Sequence, residues 1–194
     1  EEVAVLQSGD LFGEMSLILN QPCNATVVAK GPVKVFVGKK GVFGYLCRES
    51  ETFAATINKL IEDRAQEPDI SENEKEAAAE KQVQSVPVSY VSRSLRILSI
   101  SKEDEAILLT LLKNSYLFKN LSVGDLDRIC SEVELHEYPP GDILIKQGYL
   151  GEGLFILHKG IARVIISPTA NDDYRTDGTE VARLNSREIF GEMS

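Results

Sequence analysis

The chain has 194 residues, a net charge of −9 and 43% hydrophobic residues, which is the composition of a folded protein rather than a disordered one. The acidic balance disfavours a broad nucleic-acid or anionic-membrane surface, and no apolar run approaches the roughly 20 residues that cross a bilayer. Cys23, Cys47 and Cys130 are too scattered for a disulfide framework or a zinc site, and His136 and His158 are too few for a multi-histidine metal centre. Reduced thiols point to the cytoplasm, and the opening Glu1-Glu2 is wrong for a secretory signal.

Residues 2–6 alternate like a short strand, and Gly9-Asp10 turns the chain. A short helix is predicted from Met15 to Asn20, stopped by Pro22. Ala25–Lys30 and Val33–Val37 read as strands split by the Gly31-Pro32 turn. From Val42 to Ala65 the apolar residues Phe43, Leu46, Phe53, Ile57, Leu60 and Ile61 recur at helical spacing, with a break expected near Glu49-Ser50. Pro68–Gln84 is rich in Glu, Lys and Ala and reads as a solvated linker. Arg93–Ser99 is a basic start to the next helix, and its serines are phosphorylation candidates.

That helix runs to Leu117, with Ser101 and Asp104 spaced as a capping box and Ile107, Leu108, Leu111 and Leu112 as its buried stripe. Ser122 caps a further helix through Leu126 and Ile129. From Val133 the period becomes two: Val133–Leu135, Ile143–Ile145, Leu154–Leu157, Ala162–Ile166 and Val181–Leu184 are short strands separated by turn residues. His158, beside the Gly160 turn, is expected to be solvent-exposed or capping. Short strands at this density suggest a small antiparallel barrel or jelly roll.

One motif occurs twice. Val3–Ser16 reads VAVLQSGDLFGEMS and Val181–Ser194 reads VARLNSREIFGEMS, so one structural unit is represented twice and neither copy is complete. In the first copy Phe12-Gly13-Glu14-Met15-Ser16 is followed, after a short gap, by Pro22-Cys23-Asn24-Ala25-Thr26. The chemistry suits a sugar phosphate. Gly13 permits close backbone approach, the start of a short helix presents N–H groups to phosphate, and Glu14 offers two acceptor oxygens to a ribose hydroxyl.

This constellation resembles the phosphate-binding cassette of the cyclic nucleotide-binding family. Tyr138–Gly148 and Glu152–Gly160 are similar to that family's early strands, and Leu112–Ile129 resembles its helical lead-in. Tandem repeats of this kind look most like the regulatory regions of cGMP-dependent protein kinases and of the regulatory subunits of the cAMP-dependent kinase. The resemblance implies a mainly β, helix-decorated antiparallel barrel, with cGMP or cAMP as the ligand.

It also implies that Glu14 holds the ribose 2′-hydroxyl, that Gly13, Met15 and Ala25 lie against the phosphate, and that Ser16, Asn24 and Thr26 belong to the same pocket. The family's phosphate-pairing arginine is replaced by Cys23, and a thiol makes no bidentate charge-assisted contact. In the second copy Gly191, Glu192 and Met193 are the corresponding candidates.

The organisation expected is the late part of one repeat over residues 1–66, an acidic linker over 67–98, and the lead-in and early barrel of a second repeat over 99–194. The role expected is sensing rather than catalysis, because there is no nucleophile–base pair, Walker-type phosphate loop or kinase signature set. The partners implied are a kinase catalytic domain or a neighbouring repeat, with no nucleic acid, membrane or metal. Two alternatives stand beside sensing: a degenerate, structural version of the fold, or a pocket for another nucleoside. The incomplete halves permit two assemblies. Either each is completed by sequence outside the chain, which is the favoured arrangement for the native protein, or the two combine into one permuted barrel. Contacts between Ala25–Val37 and Ile143–Ile166 would mark the second.

Overall fold

The computed structural model describes residues 2–65 and 95–166. The first segment contributes β1 (Glu2–Leu6), β2 (Leu11–Phe12), α1 (Glu14–Leu19), β3 (Thr26–Ala29), β4 (Val33–Lys39), α2 (Lys40–Glu49) and α3 (Glu51–Ala65). The second contributes β5 (Arg96–Leu98), α4 (Lys102–Asn114), α5 (Val123–Glu132), β6 (Glu134–Tyr138), β7 (Ile143–Ile145), β8 (Gly153–Lys159) and β9 (Ala162–Ile165).

The strands form two antiparallel sheets, in the orders β1-β9-β3-β7 and β2-β8-β4-β6-β5. Strands of the two segments alternate, so each of β1–β4 is paired only with strands that follow residue 133. Val27 faces Ile145 and Val164, and Phe36 faces Ile156 and Leu135. The described residues therefore take the permuted arrangement, in which each segment fills the sheet edges that the other leaves open.

Alternation along β4 separates two cores. Val33, Val35 and Val37 turn inward with Tyr138, Phe155 and Leu157 to fill the barrel. Phe36 turns outward with Leu135, Leu154 and Ile156 to meet the helices. Each such side chain contributes about 1.5–3 kcal/mol by leaving water. Gly160 makes the turn between β8 and β9 at φ 100°, and a Cβ there would run into the Pro32 carbonyl.

The helix predicted over 42–65 is two helices, broken at Ser50 as the sequence suggests. Ser50 donates its N–H to the Leu46 carbonyl and accepts from the Phe53 N–H, which ends α2 and starts α3. Phe53 is the junction of the helical layer: its ring lies edge-on to Phe43, 5.2 Å between centroids, and stacked on Phe118 at 5.7 Å. The α4 capping box forms as expected, with the Ser101 hydroxyl accepting from the Asp104 N–H and the Asp104 carboxylate accepting from the Ser101 N–H, both at 3.1 Å. Ser122 caps α5 by a single arm, its hydroxyl accepting from the Asp125 N–H at 3.2 Å.

Two readings need correction. His158 is not exposed: it is 3% accessible, packed on Phe36 and hydrogen-bonded through Nε2 to Asp104 at 3.1 Å. Arg96–Leu98 is a strand at the sheet edge rather than a helix start, paired with β6 through Arg96–Glu137, Ile97–His136 and Leu98–Leu135. Three residues are too few to show a period, and Ile97 is largely exposed, so nothing local marks the strand. The linker candidate Pro68–Gln84, the serine candidate Ser94, the strand Val181–Leu184 and the second motif copy lie outside the described residues.

Candidate functional site

The first motif copy is the hinge between the two cores. Phe12 on β2 pairs with Phe155 on β8, and the rings stack with centroids 5.2 Å apart. Gly13 follows at φ 84°, a conformation that L side chains rarely adopt. A Cβ there would also lie 3.0–3.1 Å from Ile145, the Gly153 carbonyl and Phe155, so space and backbone both require glycine. Glu14 then starts α1 and is buried, with 3% of its surface accessible.

The rest of the motif is fastened to the loop between β7 and β8. The Ser16 hydroxyl donates to the Gln21 carbonyl at 2.6 Å and accepts from the Gly151 N–H at 2.8 Å. Cys23 donates its N–H to the Tyr149 carbonyl at 2.8 Å, and its own carbonyl accepts from the Gly148 N–H at 2.9 Å. The Thr26 hydroxyl accepts from the Gln147 N–H at 3.1 Å. A motif read from residues 12–26 is thus held in shape by residues 147–151, more than a hundred positions away in the chain.

Beside this seam lies a cavity of about 690 Å³. Cys23, Tyr149, Gly151 and Phe155 stand on its wall, together with Glu134 and His136 from β6. Its volume is within the range of small-molecule sites, roughly 300–1,000 Å³. Among the described residues singled out from the sequence, Cys23 reaches the wall, while Gly13 abuts the wall residues Ile145, Gly153 and Phe155. Glu14, Ser16 and Thr26 are buried and do not line it, Met15 and Ala25 are half-buried, and Asn24 is exposed. Gly191, Glu192 and Met193 lie outside the described residues.

Burial pushes the Cys23 thiol above its ordinary range, with a hydrogen bond to Ser16 opposing the shift in part. Cys23 is therefore a neutral wall residue rather than an anion or an ion-pairing partner.

The sequence reading missed the polar strip on the other wall. Lys39 forms an ion pair with Glu134, and Glu134 bonds through its second oxygen to His136 Nε2 at 2.9 Å. The hydrogen bond from Lys39, and then that from His136, hold the Glu134 carboxyl below the usual carboxylate range. Alternation along β6, with His136 and Tyr138 on one face, was a legible signal for His136. The pairing with Lys39 was not legible, since it depends on the register that sets Val37 opposite Glu134. Among the described residues no group of three His, Cys, Asp or Glu side chains gathers to hold a metal, and no helix is long and apolar enough to cross a membrane.

Two antiparallel sheets decorated by helices, with a cavity beside them, define an antiparallel β-barrel of the jelly-roll type. The family model for the cyclic nucleotide-binding domain matches residues 1–50 and 135–194, together more than half of the chain. The chain belongs to the cyclic nucleotide-binding domain family and carries parts of two copies of that domain. A stretch of 85 residues is 32% identical to cGMP-dependent protein kinase, isozyme 1, of Drosophila melanogaster. The match takes in 43% of this chain and only 10% of that kinase. No solved structure matches the chain.

Proposed function

We propose that this chain is the ligand-sensing module of a cytosolic signalling protein, and that it takes cGMP or cAMP in the cavity beside the first motif copy. One observation supports the reading: the stretch that follows the Gly-Glu motif is fastened by Ser16, Cys23 and Thr26 to residues 147–151, part of which line a nucleotide-sized cavity. Glu14 serves the ribose hydroxyl, and the backbone around Gly13, Met15 and Ala25 serves the phosphate. The similarity to a cGMP-dependent protein kinase favours cGMP and a kinase catalytic domain as the element controlled. The three free thiols fit a reducing compartment.

The signal leaves through the helical layer. Leu17 of α1 packs in the same core as Phe43, Phe53 and Phe118, so a ligand that moves α1 bears directly on α2 and α3. Ligand shifts the population between two packings of these helices, which present the change to a neighbouring repeat or to the effector.

A second reading rests on Cys23. A neutral thiol in place of an arginine removes the phosphate's charged partner, so the barrel is either a structural module or a pocket for a nucleoside without phosphate.

Calorimetric titration with cAMP, cGMP and inosine distinguishes these, with hydrogen exchange recorded on the same samples. The sensing reading expects cyclic-nucleotide binding that Glu14→Ala weakens by at least tenfold, about 1.4 kcal/mol, and altered exchange in α2 and α3. Binding of inosine alone supports the nucleoside pocket, and no binding supports the structural module. Unchanged exchange at saturating ligand defeats the helical relay.

A further inference from the structure

The first motif copy fills a slot on β9 and β8. Val5 stands opposite Arg163 and Leu6 opposite Ala162, while Leu11 stands opposite Ile156 and Phe12 opposite Phe155. The Ser8 hydroxyl donates to the His158 carbonyl, and the Ser16 hydroxyl accepts from the Gly151 N–H. Set residues 181–194 against 3–16, and the parts that the slot grips recur. Buried Leu6, Leu11, Phe12, Glu14 and Ser16 are matched by Leu184, Ile189, Phe190, Glu192 and Ser194. Ser186 matches Ser8, and Gly191 matches Gly13, whose φ of 84° demands glycine. The changes of character, Val5 to Arg183 and Gly9 to Arg187, fall on residues that are not buried.

We infer that this slot is also the docking surface for residues 181–194 of the same chain, and that the two motif copies exchange in it. Opposed effects bring the two occupants close in energy. Ile165 of β9 is paired with Glu2, whose counterpart Glu180 follows β9 after residues 166–179. That length is ample for a hairpin, which needs about two to five residues in its loop. The first copy must instead meet β9 from more than a hundred positions away, so loop closure favours the second.

Two side chains favour the first copy. Gly9 turns at φ 98°, where Arg187 would be strained. Val5 faces Arg163, where Arg183 would set two like charges directly opposite each other. The first copy therefore holds the slot through two positions outside the core, while the buried set accepts either occupant. The exchange requires no ligand.

Hydrogen exchange on the whole chain tests this by comparing residues 3–6 with residues 181–184. The Arg183→Val/Arg187→Gly variant removes both handicaps of the second copy and leaves residues 2–165 unaltered. It should raise protection at 181–184, and lower it at 3–6, by about tenfold or more. The reciprocal Val5→Arg/Gly9→Arg variant should move protection in the same direction. Unchanged protection at both segments in Arg183→Val/Arg187→Gly overturns the exchange, even if the reciprocal variant unfolds. So does a gain at 181–184 with no loss at 3–6, which would mean a separate docking place. A gain that grows with protein concentration would put the second copy on another molecule and overturn the exchange within one chain.

Discussion

On the proposed reading Cys23 takes the place of the family's phosphate-pairing arginine, and its surroundings favour a neutral side chain. Burial raises its thiol, and the backbone on both sides is tied to residues 148–149. The loop is thus held by its backbone around a neutral thiol. Losing a buried charge-assisted contact of this kind costs about 2–5 kcal/mol. Cys23→Arg should therefore raise cyclic-nucleotide affinity by at least about 30-fold, the lower end of that range. Titration of the variant beside wild type checks this. An unchanged affinity would mean that the cavity rim, not the missing charge, limits binding. Gly13 shows the opposite situation, because its φ of 84° and its contacts with Ile145 and Phe155 demand glycine whether or not a ligand is present.

At the scale of elements, a titratable contact joins the helical layer to the barrel. His158 on β8 bonds to Asp104, which also closes the capping box of α4. The charged groups facing it are Asp104, Lys159 and Lys34. Burial, and then the Lys159 charge, lower its affinity for a proton, although Asp104 opposes this. Below the ordinary histidine value of 6.5 the unfolded chain takes up a proton that folded His158 resists. Its contribution is thus full above that pH and declines as pH falls toward the depressed folded value. Asp104 has its carboxyl lowered, first by the Ser101 hydroxyl and then by the Ser101 N–H. Its contribution is present above the ordinary value of 3.8 and is lost as pH falls through the lower folded value. Thermal melts from about pH 7.5 to 5 should show a falling melting temperature in wild type and a flatter curve in His158→Phe, which keeps the ring packed on Phe36. Parallel curves would show that the histidine does not couple α4 to the barrel.

Taken as a whole, the barrel belongs to neither segment. Six of the seven strand pairings join residues 2–39 to residues 134–165, and the seventh adds β5 to β6. The interior is shared too, with Val27, Val33 and Val35 from one segment closing on Tyr138, Leu144 and Leu157 from the other. Separately prepared fragments 1–65 and 95–194 should each lack fixed aromatic packing, and an equimolar mixture should recover it, because each holds the other's missing sheet neighbours. Near-ultraviolet circular dichroism of the fragments and the mixture decides. Native-like packing in either fragment alone would refute the shared barrel.

What the sequence determined by itself was local or repetitive. The α2–α3 break, the Ser101 and Ser122 caps, the strands at Ile143–Ile145 and Leu154–Leu157, and the turn at Gly13 are set by residues a few positions apart, whose spacing states the period. The repeated Phe-Gly-Glu-Met-Ser block marked the family because identical turns require identical residues. Tertiary structure alone decided the rest. Burial of His158 depends on α4 arriving beside it, β5 exists only because β6 offers an edge, and the Lys39–Glu134–His136 strip follows from the register of β4 on β6. The choice between a barrel completed elsewhere and one made from both segments was of the same kind. The apolar residues of β3 and β4 specify that partner strands are needed, but any strand of matching pattern meets that need, and only the long-range ladders select which one does.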